Sequence, residues 1–223
     1  MGYKTIMPLR KEMLVTGEVY HIFNKSIAGF KIFNNQADFS RIVDVISYYQ
    51  KEKQPISFSN FIKIKHGFSQ KSLTEGIVVE IIAYCIMPTH IHLILKQLKN
   101  NGITAFIGNI LNSYTRYFNI KYNRKGPLWQ GRFKNVIVEN EEQLLHLTRY
   151  IHLNPVTGYL VNKPEEWSAS SYKEYLSGDS VEYPICNYSD FLPMVDFSYK
   201  KFVDDHISYQ KEVVKIKDLI VEN

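Results

Sequence analysis

Acidic residues are missing from the middle of this 223-residue chain, where no Asp or Glu lies between Ile81 and Val138. The same span carries eight cations, Lys96, Lys99, Arg116, Lys121, Arg124, Lys125, Arg132 and Lys134, so the formal net charge of +5 is concentrated there and the remainder is net acidic. From Glu139 to Asn223 the balance reverses, with fifteen acidic against eight basic residues. A long basic span with interleaved aromatics and no carboxylate suits a polyanion, nucleic acid above all. Cysteine is scarce: Cys85 and Cys186 form neither a pairing pattern nor a metal-ligand spacing, which fits a reducing compartment. No apolar run approaches the ~18 residues of a membrane span, and Met1 to Lys11 lacks the apolar segment of a secretory leader. The expectation is a soluble cytoplasmic protein with no membrane partner. With 45% apolar residues and no low-complexity tract, the chain can bury one good core and carry an appendage.

Within the acid-free span stands His90-Ile91-His92, between the apolar runs Ile77 to Met87 and Leu93 to Leu95, with Pro88-Thr89 as a turn. Side chains alternate along a strand, so both imidazoles project from one face and Ile91 from the other. That is half of a metal site. Paired histidines on strands also hydrogen-bond locally, and the spacing alone does not separate the two roles.

Around the motif the pattern alternates between strand and helix. Val19 to Asn24 reads as a strand, and Gln36 to Gln50 as a helix capped by Asn35, with Phe39, Ile42, Val43, Ile46 and Tyr49 along its apolar stripe. Lys51 to Gly76 is lysine-rich and mixed, a helix end and loop. Ile103 to Tyr122 is an amphipathic helix whose stripe includes Tyr114 and Phe118, with Arg116 and Tyr117 off its centre and a basic stop at Asn123-Arg124-Lys125-Gly126-Pro127. Leu128 to Val138 resembles a strand in which Trp129 and Phe133 lie among Arg132 and Lys134. Such rings either stack nucleic-acid bases or pack in the core. A third helix starts at Asn140, with Gln143 completing a capping box and Glu141 and Glu142 suiting the helix dipole, and Pro155 is expected to end it at Asn154. Tyr150 and Asn154 then lie one turn apart on one face, and His152 points elsewhere in a structural role.

Three stretches carry a resemblance: Tyr84 to Leu93 with its His90-Ile91-His92; Tyr114-Thr115-Arg116-Tyr117-Phe118-Asn119 together with Gly126 to Lys134; and Arg149-Tyr150-Ile151-His152-Leu153-Asn154-Pro155-Val156. In order over roughly residues 14 to 160, they resemble the HUH-type single-tyrosine transposases of the insertion-sequence 200/605 superfamily, most closely the branch of REP-associated tyrosine transposases. The resemblance implies an α+β, ferredoxin-like sandwich, with an antiparallel sheet, helices on one face and a C-terminal helical extension. On this reading residues 1–160 are the catalytic domain and 161–223 the extension. It also implies cleavage of single-stranded DNA through a 5′-phosphotyrosine, on a substrate with hairpin structure, by a homodimer or monomer.

By the same resemblance, His90 and His92 match metal ligands, Asn154 a third metal contact and Tyr150 the nucleophile. The metal is Mg²⁺ or Mn²⁺, the latter accepting imidazole more readily. DNA contacts are expected from Arg116, Tyr117, Lys121, Arg124, Lys125, Trp129, Arg132 and Lys134. Spacing does not choose among the tyrosines: Tyr114 and Tyr117 are closer in sequence to the histidines, and the preference for Tyr150 rests on the family position. Alternatives are a domesticated DNA-binding derivative that no longer cleaves and an RNA-binding sandwich, which has no use for His90, His92 and Tyr150 together. A water-using metal hydrolase lacks a carboxylate near the histidine strand.

Overall fold

The computed structural model describes residues 13–52, 54, 56–64, 76–177, 184–191 and 198–213. Strand β1 (Val19–Lys25) leads into helix α1 (Gln36–Tyr49) and the short α2 (Phe58–Ile64). Strands β2 (Val79–Met87) and β3 (His90–Gln97) form a hairpin, followed by α3 (Gly102–Lys121), β4 (Lys134–Ile137) and α4 (Glu141–Thr157). Two further short helices are α5 (Tyr172–Ser177) and α6 (Tyr199–Asp204). The four strands lie in the order β2-β3-β1-β4, every neighbouring pair antiparallel. This β-α-β-β-α-β order, two split βαβ units interleaved, is the ferredoxin-like arrangement.

Alternation decides which layer each strand residue joins. Tyr20 and Ile22 of β1 and Ile91, Leu93 and Leu95 of β3 enter a core with Ile42, Val45 and Ile46 of α1 and Ile103, Phe106, Ile107, Ile110, Tyr114 and Phe118 of α3. Ile82, Ala83, Cys85 and Met87 of β2 and Ile94 of β3 enter a second core on the opposite face, with Leu144, Ile151, Leu153 and Val156 of α4 and residues of α5 and α6. Helices therefore cover both faces, since α4 and the C-terminal segment close the side that α1 and α3 leave open. Residues after 160 also cover the outer edge of β2: Ile86 donates its N–H to Ala169 and Ser171 donates to Tyr84, which removes an exposed strand edge.

Both long N-caps form. Asn35 accepts from the Asp38 N–H and Asn140 from the Gln143 N–H. The capping box is shifted by one residue, because the Gln143 side chain accepts from the Glu139 N–H and not from that of Asn140. Pro155 does not end α4, which continues to Thr157. Proline removes one backbone donor, yet Pro155 and Val156 are buried and the Gly158 N–H reaches the Asn154 carbonyl at 2.8 Å, so tertiary packing outweighs the local preference. Strand β4 is shorter than the expected Leu128–Val138, because Leu128, Trp129 and Phe133 turn into the first core. The loop between them is tied to β1 by Gln130 N–H to Lys25 carbonyl, 2.9 Å, and by Asn24 Nδ2 to Gly131 carbonyl, 3.3 Å. The expected loop over Lys51–Gly76 contains α2, and residues 65–75 lie outside the described residues, as do parts of the expected helical extension over 161–223.

Candidate active site

His90 and His92 lie at the start of β3, and their rings meet edge to face with centroids 5.0 Å apart. Both project onto the face covered by α4, while Ile91 enters the core with α1 and α3. From α4, Tyr150 approaches them: its ring stands perpendicular to that of His92 at a centroid distance of 6.1 Å. Tyr150 is 42% exposed, so its phenol is accessible from solvent. Partial burial raises its pKa above the ordinary tyrosine value, so the phenol is neutral at pH 7. One turn on, Asn154 is buried, and its side-chain amide nitrogen has no hydrogen-bond partner among the described residues.

The imidazoles are held from behind. His92 Nδ1 is 2.9 Å from Nε2 of His21 on β1, and His90 Nδ1 is 2.9 Å from the Thr89 hydroxyl. Both Nδ1 atoms being engaged, the Nε2 atoms remain as the ligand positions, the arrangement in which a second partner orients a metal-binding histidine. Burial, and then the nearby Lys25 ammonium, brings the His90 pKa down to about 4. Burial brings His21 to about 4 and lowers His92 well below the ordinary histidine value, with His90, His21 and Lys25 adding to the effect on His92. All three are therefore neutral at pH 7, the form that ligates metal. Among the described residues no group of three or more His, Cys, Asp or Glu side chains has the geometry of a metal site. Two neutral imidazoles and the side-chain oxygen of Asn154 are nevertheless donor types that fit a divalent ion with open positions.

The strand register adds residues that the sequence analysis missed. Lys25 pairs with His90 and Phe23 with His92 across β1–β3, and Phe23 pairs with Lys134 across β1–β4. Alternation puts His21, Phe23, Lys25 and Lys134 on the histidine face. The available signal was the same period-2 pattern in Val19 to Asn24, which sends His21 and Phe23 to one side.

The expected DNA contacts separate. Lys134 and Arg132 line a cavity beside Phe23 and Lys25, close to the histidines. Arg116, Tyr117 and Lys121 lie on α3, across the sheet from the histidine pair. Tyr117 donates to buried Asp38, and the Lys121 ammonium is 2.6 Å from the same carboxylate, so both serve the α1–α3 layer. Arg124 is folded onto its own loop through Asn119 and the carbonyls of Gly126 and Pro127, whereas Lys125 is exposed. Trp129 is a correction to the stacking expectation: it is 9% exposed, belongs to the core and donates its indole N–H to Thr115. Phe133 is also core. Tyr114 is fully buried with its hydroxyl on the Ile32 carbonyl, which removes it as a rival nucleophile. His152 is structural: buried among Tyr172, Tyr175 and Tyr199, it bonds the Tyr199 and Ser171 hydroxyls, and burial lowers its pKa to about 3.

Residues 50–154, which span the histidine pair, Tyr150 and Asn154, match the family described as IS200-like transposases. Over that segment the chain is similar to the IS200-like transposases. It is 29% identical over 112 residues to a protein of Haemophilus influenzae that carries the name REP-associated tyrosine transposase, a match covering 46% of this chain. The chain spans about 64% of the length of that relative. Its fold is similar to that in a structure of a REP-associated tyrosine transposase bound to a REP hairpin, with a TM-score of 0.51 and 18% identity, over 87% of this chain and 97% of the other. No helix among the described residues is long and apolar enough to cross a membrane.

Proposed function

We propose that this IS200-like protein cuts and rejoins single-stranded DNA through a phosphotyrosine at Tyr150. The observation that carries the reading is the edge-to-face approach of Tyr150 to His92, 6.1 Å between centroids, from two elements distant in sequence. The Tyr150 phenolic oxygen attacks the scissile phosphorus and the bond from phosphorus to the 3′-oxygen breaks. The phenol loses one proton and the leaving 3′-oxygen gains one, leaving a 5′-phosphotyrosine and a free 3′-hydroxyl. The reverse reaction with another 3′-hydroxyl joins strands. A neutral phenol is a weak nucleophile, so placement against the phosphate matters more than its intrinsic reactivity.

His90 Nε2, His92 Nε2 and the Asn154 amide oxygen would hold Mg²⁺ or Mn²⁺, which supplies Lewis-acid neutralisation of charge on the phosphate. His21 and Thr89 fix the rings of the two histidines, and α4 holds Tyr150 and Asn154 at a constant one-turn separation. The acid-free basic span supports a DNA substrate, and the fold shared with a hairpin-bound relative supports a hairpin within it.

The test is incubation of the full chain with labelled hairpin-containing single-stranded DNA and Mn²⁺. A covalent adduct that survives denaturation, is absent in Tyr150→Phe and is absent in EDTA is expected. An adduct that persists in Tyr150→Phe overturns the nucleophile. No adduct with any hairpin substrate, together with retained binding, points to a protein that binds DNA without cutting it.

A further inference from the structure

The histidine face is covered unevenly. α4 and the C-terminal helices pack on β2 and the Ile94 side of β3, and residues 169–171 occupy the outer edge of β2. Over β1 and β4 the same face is open: His21 and Phe23 are half-buried, and Lys25, Lys134 and Val136 are exposed. A strand entering or leaving the Tyr150 site therefore has its way out across β1 and β4.

A cavity of about 360 Å³ lies on that route, within the range of small-ligand pockets, roughly 300–1,000 Å³. Phe23, Lys25, Arg132 and Lys134 contribute to its walls, and none of its seven lining residues is acidic. Its wall is built rather than accidental, because Asn24 and the Lys25 carbonyl hold the Gln130–Gly131 segment against β1. Phe23 lies near-parallel to the His92 ring, 27° between planes and 6.1 Å between centroids, so its ring continues the surface of the histidine site into the cavity.

We infer that this cavity is a nucleotide subsite, in which the nucleotide flanking the scissile phosphate stacks its base on Phe23 and sets its phosphates against Lys25 and Lys134. The inference rests on the DNA-cutting reading for what it calls the scissile phosphate, but the seat itself is a matter of binding. An aromatic ring beside cations and no carboxylate is what a single strand requires, since every base offers a flat face and every nucleotide a charge.

Binding is measured without metal on intact strands, so that cutting plays no part. The probes are fluorescein-labelled oligodeoxythymidylate and a strand of equal length made of abasic residues, which keeps the phosphates and removes the bases. Phe23→Ala and Phe23→Leu are expected to weaken thymidylate binding about 10-fold and to leave the abasic strand unchanged. Lys25→Ala and Lys134→Ala are expected to weaken both strands alike, each reducing the salt slope by about 0.7. A strand bearing 5-iododeoxyuridine should crosslink to the peptide containing Phe23. Equal loss on both strands in the Phe23→Leu variant, or unchanged salt slopes in both lysine variants, overturns the subsite. Base-dependent binding through Phe23 with no covalent adduct in the wild-type protein upholds the subsite and sinks the cutting reading instead.

Discussion

The Nε2 atom of His21 lies 2.9 Å from the Nδ1 atom of His92, joining β1 to β3 behind the candidate metal site. His21 pairs in register with Ile94 and so reaches His92 diagonally across the strand pair. This contact fixes the plane of the His92 ring and engages one of its two nitrogens.

His21→Ala is therefore expected to lower Mn²⁺ affinity about 10- to 100-fold, the usual loss when the partner behind a ligating histidine is removed. Titration calorimetry reads the affinity, and circular dichroism checks that the fold is kept. His21→Gln, which retains a hydrogen-bonding group, should recover part of the loss. Unchanged affinity in His21→Ala would show that His92 needs no support from β1.

Trp129 makes the opposite kind of prediction. Its ring is in the core with Phe33 and Tyr114, at centroid distances of 6.4 Å to each, and its N–H is bonded to Thr115. Trp129→Ala should cost about 3–5 kcal/mol in urea unfolding. Trp129→Phe should cost less, and DNA affinity per folded molecule should remain that of the wild-type protein. A loss of affinity in a folded Trp129→Phe variant would return the ring to the DNA surface.

Asp38 carries the acid sensitivity of the α1–α3 layer. Burial on its own raises the carboxyl pKa, but hydrogen bonds from Lys121, Tyr122, the Asn34 N–H and Tyr117 outweigh it and hold the pKa below the ordinary value. For a depressed carboxylate, the stabilising contribution is complete above the unfolded-state pKa and is lost as the pH falls through the folded-state value. Asp38→Asn should be less stable at pH 7 by about 1–3 kcal/mol. Its stability should also fall less steeply than that of the wild-type protein as the pH drops from about 5 towards 3. Parallel stability curves for the two proteins over that interval would refute the assignment.

Much of this architecture is local in origin. His90-Ile91-His92 reads from alternation alone, the α1 and α3 stripes read from helical periodicity, and Asn35 and Asn140 cap the helices that follow them. Local preference misread one place. Pro155 disfavours a helix at Asn154, yet α4 continues because Pro155 and Val156 are packed beneath the sheet. Around Trp129 the residues left stacking and packing open, because aromatic rings beside cations have the same composition in a core and in a binding groove, and only the tertiary structure put the ring in the core.

By itself the sequence determined which residues share a strand or helix face, because those periods are set by backbone geometry, and it concentrated positive charge in one span. Only the tertiary structure decided which tyrosine faces the histidines, because contact between β3 and α4 depends on how the layers close over the sheet. The same holds for His21, Phe23 and Lys25, which are about seventy residues before the histidine pair in the chain and adjacent to it through strand pairing. Sequence distance carries no record of that pairing, which is fixed when β1 inserts between β3 and β4.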